Sequence, residues 1–414
     1  MPVPAAGSPV RPIPGSGPRA LPPVIRGAGT ALLALAPLAL ALLALAPLAL
    51  APLALAPPAA AQPDGTVYET EQARLRLAVL AEGLASPWGL AFLPDGGLLI
   101  TEKPGRLRVF RAGRLSAPVA GLPEAAAVGQ GGLLDVAVDP DYAQSGWVYL
   151  SLAARGDGGL GTQIWRGRLR DGRWVDGELL FDMARKTNAG RHFGSRLAFD
   201  PQGRLYFSIG DRGDKPRAQD PADSAGRIHR IARDGTVPPD NPFVGQAGAS
   251  ETAFTLGNRN VQGMATHPQT GRIWMHEHGP RGGDEVNLVR AGANYGWPEV
   301  THGVAYSGAT ISARSSAPGL VDPLHVWVPS IAPSGMTFYS GDKFPAWQGD
   351  LFIGALKSRL LVRLELDGEA VIAEERLLVE EIGRIRAVET GPDGHLYLLT
   401  DSTDGLLVRL EPAG

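Results

Sequence analysis

Three groups of residues in this chain carry recognisable chemistry. His192 lies in GRHFGSRL at 190–197, flanked by Gly190 and Gly194. Glycines let a ligand approach the backbone, and an imidazole serves as a general base near neutral pH; a solvated loop histidine would read the same way. The second group is EHGPRGGDEVNLVRAGANYGWP at 277–298. Asp284, Glu285 and main-chain oxygens turned inward by glycines are hard donors of the kind Ca²⁺ takes, although the spacing is not that of an EF-hand. An acid-containing surface turn is the alternative. Just upstream, His276 and His278 in MHEH share one face of a strand and could suit a transition metal, but no third ligand is evident.

The third group is cationic. Only five lysines follow residue 63, at 103, 186, 215, 343 and 357. Lys357 sits in GALKSRLL, Arg384 and Arg386 in GRIRAVE, and Arg259-Asn260 in GNRNVQGMA. Separately each is an ordinary surface charge. Gathered at one end of a fold they repel one another, and so imply an anionic ligand bearing several carboxylates or phosphates.

The elements that must position these groups repeat. From residue 87 onward an apolar strand, a Pro/Asp/Gly turn and a second β-rich strand recur six times. The copies begin at Trp88, Leu133, Ser195, Val261, Ser334 and Arg386, with turns 46 to 72 residues apart. Further strands such as GRLRVF at 105–110 and RLLVRLELDG at 359–368 fill each unit, and long helical periodicity is absent. A sandwich needs more strands per length, and a β-helix needs a much shorter repeat. The pattern predicts an all-β, six-bladed propeller. Residues 73–84 alternate in part with period two before the first blade, and are expected to pair with the last blade and close the ring. The groups above interrupt the repeat, which is where a scaffold carries its site.

Composition bounds the reading further. The chain has 414 residues, 54 Gly, 36 Pro and no Cys, which excludes disulfide frameworks, thiol nucleophiles and iron–sulfur clusters. Residues 1–63 hold 14 of the prolines, and residues 1–61 carry three arginines with no acid or lysine. Their removal takes the net charge from −3 to −6, and a mildly acidic body without basic runs argues against nucleic acid as a partner. Residues 1–61 read as a secretory signal with a long Ala/Leu/Pro run, ending in Ala59-Ala60-Ala61. A retained anchor is the competing reading of that run, although its recurrent prolines make a poor spanning helix. The expected organisation is a leader at 1–61, an N-terminal segment with the ring-closing strand at 62–86, and the propeller at 87–414. A periplasmic or secreted location follows, with no stable membrane insertion after cleavage.

At these motifs the chain resembles a known family. GQGGLLDVAVDPDY, HFGSRLAFDPQGRLYFSIGDR, GNRNVQGMA, EHGPRGGDEVNL with NYGWP, LFIGALK, and RIRAVETGPDGHLYLLTD occur in order from about residue 87 to 410. The combination is similar to the soluble PQQ-dependent sugar dehydrogenases, and most to their bacterial aldose sugar dehydrogenase branch. The resemblance implies a six-bladed propeller that holds pyrroloquinoline quinone (PQQ) and Ca²⁺ at one end of its axis and oxidises aldoses at C1 to aldonolactones. It implies His192 as the catalytic base and Arg259-Asn260 as the pair beside the reactive carbonyls of the quinone. It also implies Gln130 as a cofactor contact, with Lys357, Arg384 and Arg386 holding the cofactor carboxylates. Gly279 and Pro280 match carbonyl donors to one calcium, and Glu285 and Tyr295 match ligands of a second.

The chain departs from the pattern in places. An acid precedes the catalytic histidine in the glucose dehydrogenase branch, but here the neighbour is Arg191, so His192 needs another partner. Val261 stands where proline is common, and the long insertions of the dimeric glucose-specific enzymes are not apparent. A monomer that takes an aldose and passes electrons to an external acceptor is the expectation. A Ca²⁺-dependent lactone hydrolase would use acids around an axial metal and would not need the cations, and a non-catalytic binding propeller would need no cofactor.

Overall fold

A computed structural model describes residues 64–414; the expected leader at 1–61 lies outside the described residues. Six sheets follow one another along the chain. The first contains strands Pro87–Phe92, Leu98–Glu102, Arg106–Arg111 and Arg114–Leu115, hydrogen-bonded in chain order. The same antiparallel order recurs in the other sheets, each opened by an innermost strand at Leu133–Val138, Leu197–Phe199, Val261–Thr266, Pro333–Phe338 or Ile385–Thr390. This is the six-bladed propeller that the repeats predict. The third blade has three strands; beyond them a single bridge between His229 and Ala253 stands where a fourth strand lies elsewhere.

Arg74–Leu84 pairs antiparallel with the last strand, Gly405–Pro412, so that Leu77 faces Leu410. The N-terminal segment therefore joins the final blade, whose sheet has five strands. Apolar residues alternate inward on each blade face and meet those of the next blade. One buried cluster lies at each of the six junctions; Leu84, Leu90, Ile100, Leu399 and Leu407 seal the first blade to the last. At the junction of blades five and six, Trp347 is fully buried and stacks on Phe344 at 4.3 Å. Filling these wedges holds the ring together, since removing a buried Trp side chain costs about 3–5 kcal/mol.

The innermost strands are regular at one end and broken at the other. Five of the six carry a register shift near their start, between Pro87 and Leu90, Leu133 and Val136, Val261 and Gly263, Pro333 and Met336, and Ile385 and Ala387. A bulge re-aims the side chain it carries. Trp88, Leu134, Gln262 and Arg386 occupy four of these bulges, and all four line one axial cavity. No helix among the described residues is long and apolar enough to cross a membrane.

Candidate active site

His192 is fixed from every side. Its backbone is left-handed (φ 54°), a conformation that costs energy for a residue with a side chain and is held by its surroundings. Gln130 Oε1 accepts the His192 amide at 2.7 Å, and the Gln130 amide donates to Gly190 O at 2.8 Å. Gly129 permits this approach, since a Cβ there would lie 2.2 Å from Gly190 O. Arg212, buried and also left-handed, donates to the carbonyls of Arg191 and Ala189 and lies 3.5 Å over the Phe193 ring. The loop is thus clamped on both flanks of the histidine.

The imidazole itself has one committed nitrogen. Nδ1 lies 2.6 Å from Asp211 Oδ1, while Trp297 Nε1 donates to Asp211 Oδ2 at 2.8 Å and the Gly213 amide to Oδ1 at 2.7 Å. Burial opposes the Asp211 charge, but the His192 hydrogen bond and charge, the Gly213 amide and Arg259 bring its pKa below the usual range. The aspartate stays ionised and selects the tautomer with Nδ1 protonated, leaving the Nε2 lone pair free. Burial, then the charges of Arg259 and Arg191, lower the His192 pKa against the pull of Asp211. A neutral base at pH 7 results. Asp211 is the partner that Arg191 does not supply; it lies 19 residues away in SIGDR, and the NYGWP motif contributes Trp297 to it.

Two cavities lie beside the His192 loop. The deeper one, of about 310 Å³, is lined by Trp88, Lys103, Gln130, Asn260, Arg384 and Arg386 among others. The outer one, of about 260 Å³, is lined by His192, Asp211, Arg191, Lys215, Arg259 and Tyr306 among others, and Gln130 borders both. The expected convergence of cations is present in part: of the four, Arg384 and Arg386 line the deep cavity, while Arg259 lines the outer one. Arg384 and Arg386 are not unpaired, because Asp401 lies between them at 2.6 Å and 3.3 Å. Lys357 is exposed and does not line the deep cavity, though its neighbour Leu356 does. Lys103, from the first blade, lines it instead, and its pKa is lowered by burial and by Arg386. Asn260 Oδ1 accepts the Gly194 amide at 3.2 Å, tying the fourth blade to the histidine loop.

The glycine-rich segment is divided between scaffold and oxygen donors. Asp284 is fully buried and accepts from Ser330, the amides of Ile331 and Ala332, and the amide of Gly279. It braces two loops, so its carboxylate is committed and the expectation of a free hard ligand fails there. Arg259 Nη1 donates to His278 O and Gly279 O at 3.0 and 2.9 Å, and Pro280 lines the outer cavity. Glu285 faces Glu277 across adjacent strands, and both border a small cleft with Tyr295. Burial raises Glu277 to about 7; burial and then the Glu277 charge raise Glu285 to about 8. The Tyr295 hydroxyl is spent on Leu288 O and the Arg290 amide, which leaves its main-chain oxygen as a donor.

Neither histidine of MHEH resembles His192. His276 is fully buried in its blade, and His278 Nε2 lies 2.5 Å from Pro333 O. Among the described residues, no group of three or more His, Asp or Glu side chains is arranged to hold a metal, so a cation in this region would draw on main-chain oxygens.

Residues 84–409 match the Glucose / Sorbosone dehydrogenase family. The aldose sugar dehydrogenase YliI of Escherichia coli (strain K12) is 45% identical over 347 residues, covering 82% of this chain and 94% of that protein. Among solved structures, a glucose dehydrogenase is 49% identical with a TM-score of 0.80, covering 82% of this chain and 99% of the other. The PQQ-bound aldose sugar dehydrogenase of Streptomyces coelicolor is 29% identical with a TM-score of 0.68, covering 82% of this chain and 99% of its own. With its propeller, its clamped histidine and this match over most of its length, the chain belongs to the glucose/sorbosone dehydrogenase family.

Proposed function

We propose that this protein oxidises aldoses at C1 to aldonolactones, with PQQ in the deep cavity, the sugar in the outer cavity and Ca²⁺ nearby. The observation that supports it most is the pairing of a neutral, Asp211-held His192 with an adjoining cavity whose wall carries Lys103, Arg384 and Arg386. Those cations, offset by Asp401 alone among the lining acids, fit a ligand with several carboxylates. Trp88 offers a flat wall, and Gln130 and Asn260 offer amides. Calcium would draw on the carbonyl of Pro280 and on that of Gly279 once Arg259 releases it. Glu285 with the main-chain oxygen of Tyr295 would suit a second cation, Glu277 beside them being held by Asn258 and the amides of Arg259 and Asn260.

When bound, PQQ supplies the two-electron hydride acceptor, and Ca²⁺ acts on it as a Lewis acid. His192 Nε2 takes the anomeric hydroxyl proton as hydrogen leaves C1 with its electron pair, and the C1–O bond becomes the lactone carbonyl. Asp211 stabilises the imidazolium that forms. Arg259 stabilises negative charge developing beside it. Lys357, which follows the cavity-lining Leu356, would add a further cation toward the cofactor carboxylates. The protein acts as a periplasmic or secreted monomer and hands electrons to an external acceptor.

The test is reconstitution. Purified protein given PQQ and Ca²⁺ should reduce a dye with glucose and other aldoses, lose that activity to a chelator, and recover it with Ca²⁺. Lactone hydrolysis without dye reduction would instead favour a hydrolase.

A further inference from the structure

The outer cavity holds more positive charge than the oxidation of a neutral sugar requires. Arg191 and Lys215 line it together with His192, and neither has a carboxylate partner among the described residues. They do not line the deep cavity, whose own cations are Lys103, Arg384 and Arg386. Asp211 is the one acid in the outer wall, and His192, Trp297 and Gly213 already engage it. The Arg191 guanidinium crosses Gly213, where a Cβ would lie 2.3 Å from Nε, so the glycine makes room for it.

Part of the lining is apolar. Ala305, Tyr306, Ile311 and Trp297 form it, and Tyr306 is 73% exposed, the most exposed large apolar side chain of the described residues. Tyr306 stands at the tip of a tight turn closed by Gly308 N donating to Ala305 O and Ala305 N donating to Ala309 O. The turn is anchored lower down, where the Arg281 amide donates to Val304 O. The turn sets the backbone, and the exposed ring offers a face to the C–H side of a pyranose.

The lining thus combines apolar groups suited to a sugar ring, the base, and two cations without a carboxylate partner. Resting on the aldose reading above, we infer that this site prefers aldoses bearing an anionic group remote from C1, such as a hexuronic acid or an aldose 6-phosphate. C1 reacts at His192 with the same proton and hydride balance. The carboxylate or phosphate pairs with Arg191 and Lys215, and the ring lies against Tyr306.

The test compares kcat/KM for D-glucuronate, glucose 6-phosphate and glucose in the protein supplied with PQQ and Ca²⁺, at a pH where His192 is neutral. At least one anionic aldose should exceed glucose, and which one does separates carboxylate from phosphate. Lys215→Gln should lower kcat/KM for the anionic sugar about tenfold while leaving glucose within about twofold, and Arg191→Gln, which also alters the His192 base, should lower the ratio of anionic-sugar to glucose kcat/KM about tenfold. Added salt should raise KM for the anionic sugar and not for glucose. Glucose oxidised as well as both anionic sugars, or variants that lose all three equally, would overturn the inference while leaving the aldose reading intact. Failure to oxidise any of the three would overturn the aldose reading itself.

Discussion

The two ends of the propeller axis are built from the same six strands and differ in almost everything else. Where the innermost strands end, a cavity of about 420 Å³ is lined by residues of all six, including Ala91, Ala137, Ala198, Ala265, Thr337 and Thr390. Its charges are few: Asp135 and Arg196 pair at 3.0 Å, and burial pushes Glu389 up to about 8. Where the strands begin, the cavities are smaller, yet bulges, left-handed His192 and Arg212, and surplus cations crowd around them. Volume therefore does not locate the site. Departure from the repeating scaffold does, since strain and uncompensated charge persist only where the surroundings hold them.

That contrast is open to experiment. The largest effect after removal of the base itself should come from Arg384→Ala with Arg386→Ala, which should weaken PQQ binding about 1,000-fold in a fluorescence titration. Two ordinary surface arginines would leave it unchanged. Asp211→Asn should lower kcat about 10- to 100-fold with little change in PQQ affinity, because the amide no longer enforces the tautomer that frees Nε2. A smaller effect concerns pH. The lowered His192 pKa means that the base stays neutral below the ordinary histidine range, so kcat/KM should fall only as pH drops through that lowered value. Arg191→Gln removes one of the charges that lower it and should move this acid limb upward. At the opposite end, Glu389→Gln should leave kcat and KM within about twofold. A comparable loss from that substitution would erase the distinction between the two ends.

Most of the scaffold was legible because each blade repeats one chemical sentence, an apolar strand followed by a Pro/Asp/Gly turn, and the six copies coincide with the six innermost strands. The candidate site was legible where a loop breaks that sentence, as at His192 and Arg259, whereas Gln130 stood out only through the family resemblance. Relations between distant loops were not. Asp211 looks like the end of an ordinary blade strand until the ring brings its carboxylate to His192 Nδ1. Lys103 lies in the first blade, far in sequence from the arginines it joins, and Asp401 reads as a turn residue although it sits between two of them. Lys357 drew attention because lysine is scarce, but scarcity says nothing about which way a side chain faces. Asp284 shows the converse: an acid in a glycine-rich loop whose hydrogen bonds all belong to the scaffold.

The central claim is that His192 is the base that starts sugar oxidation in a cavity adjoining bound PQQ. Rapid mixing of glucose with the PQQ- and Ca²⁺-loaded protein, without an electron acceptor, follows reduction of the cofactor by absorbance in a single turnover. The native protein should show prompt reduction, and His192→Ala should bind PQQ with unchanged affinity while reducing it about 100- to 10,000-fold more slowly. Reduction by the variant at the native rate would contradict the assignment.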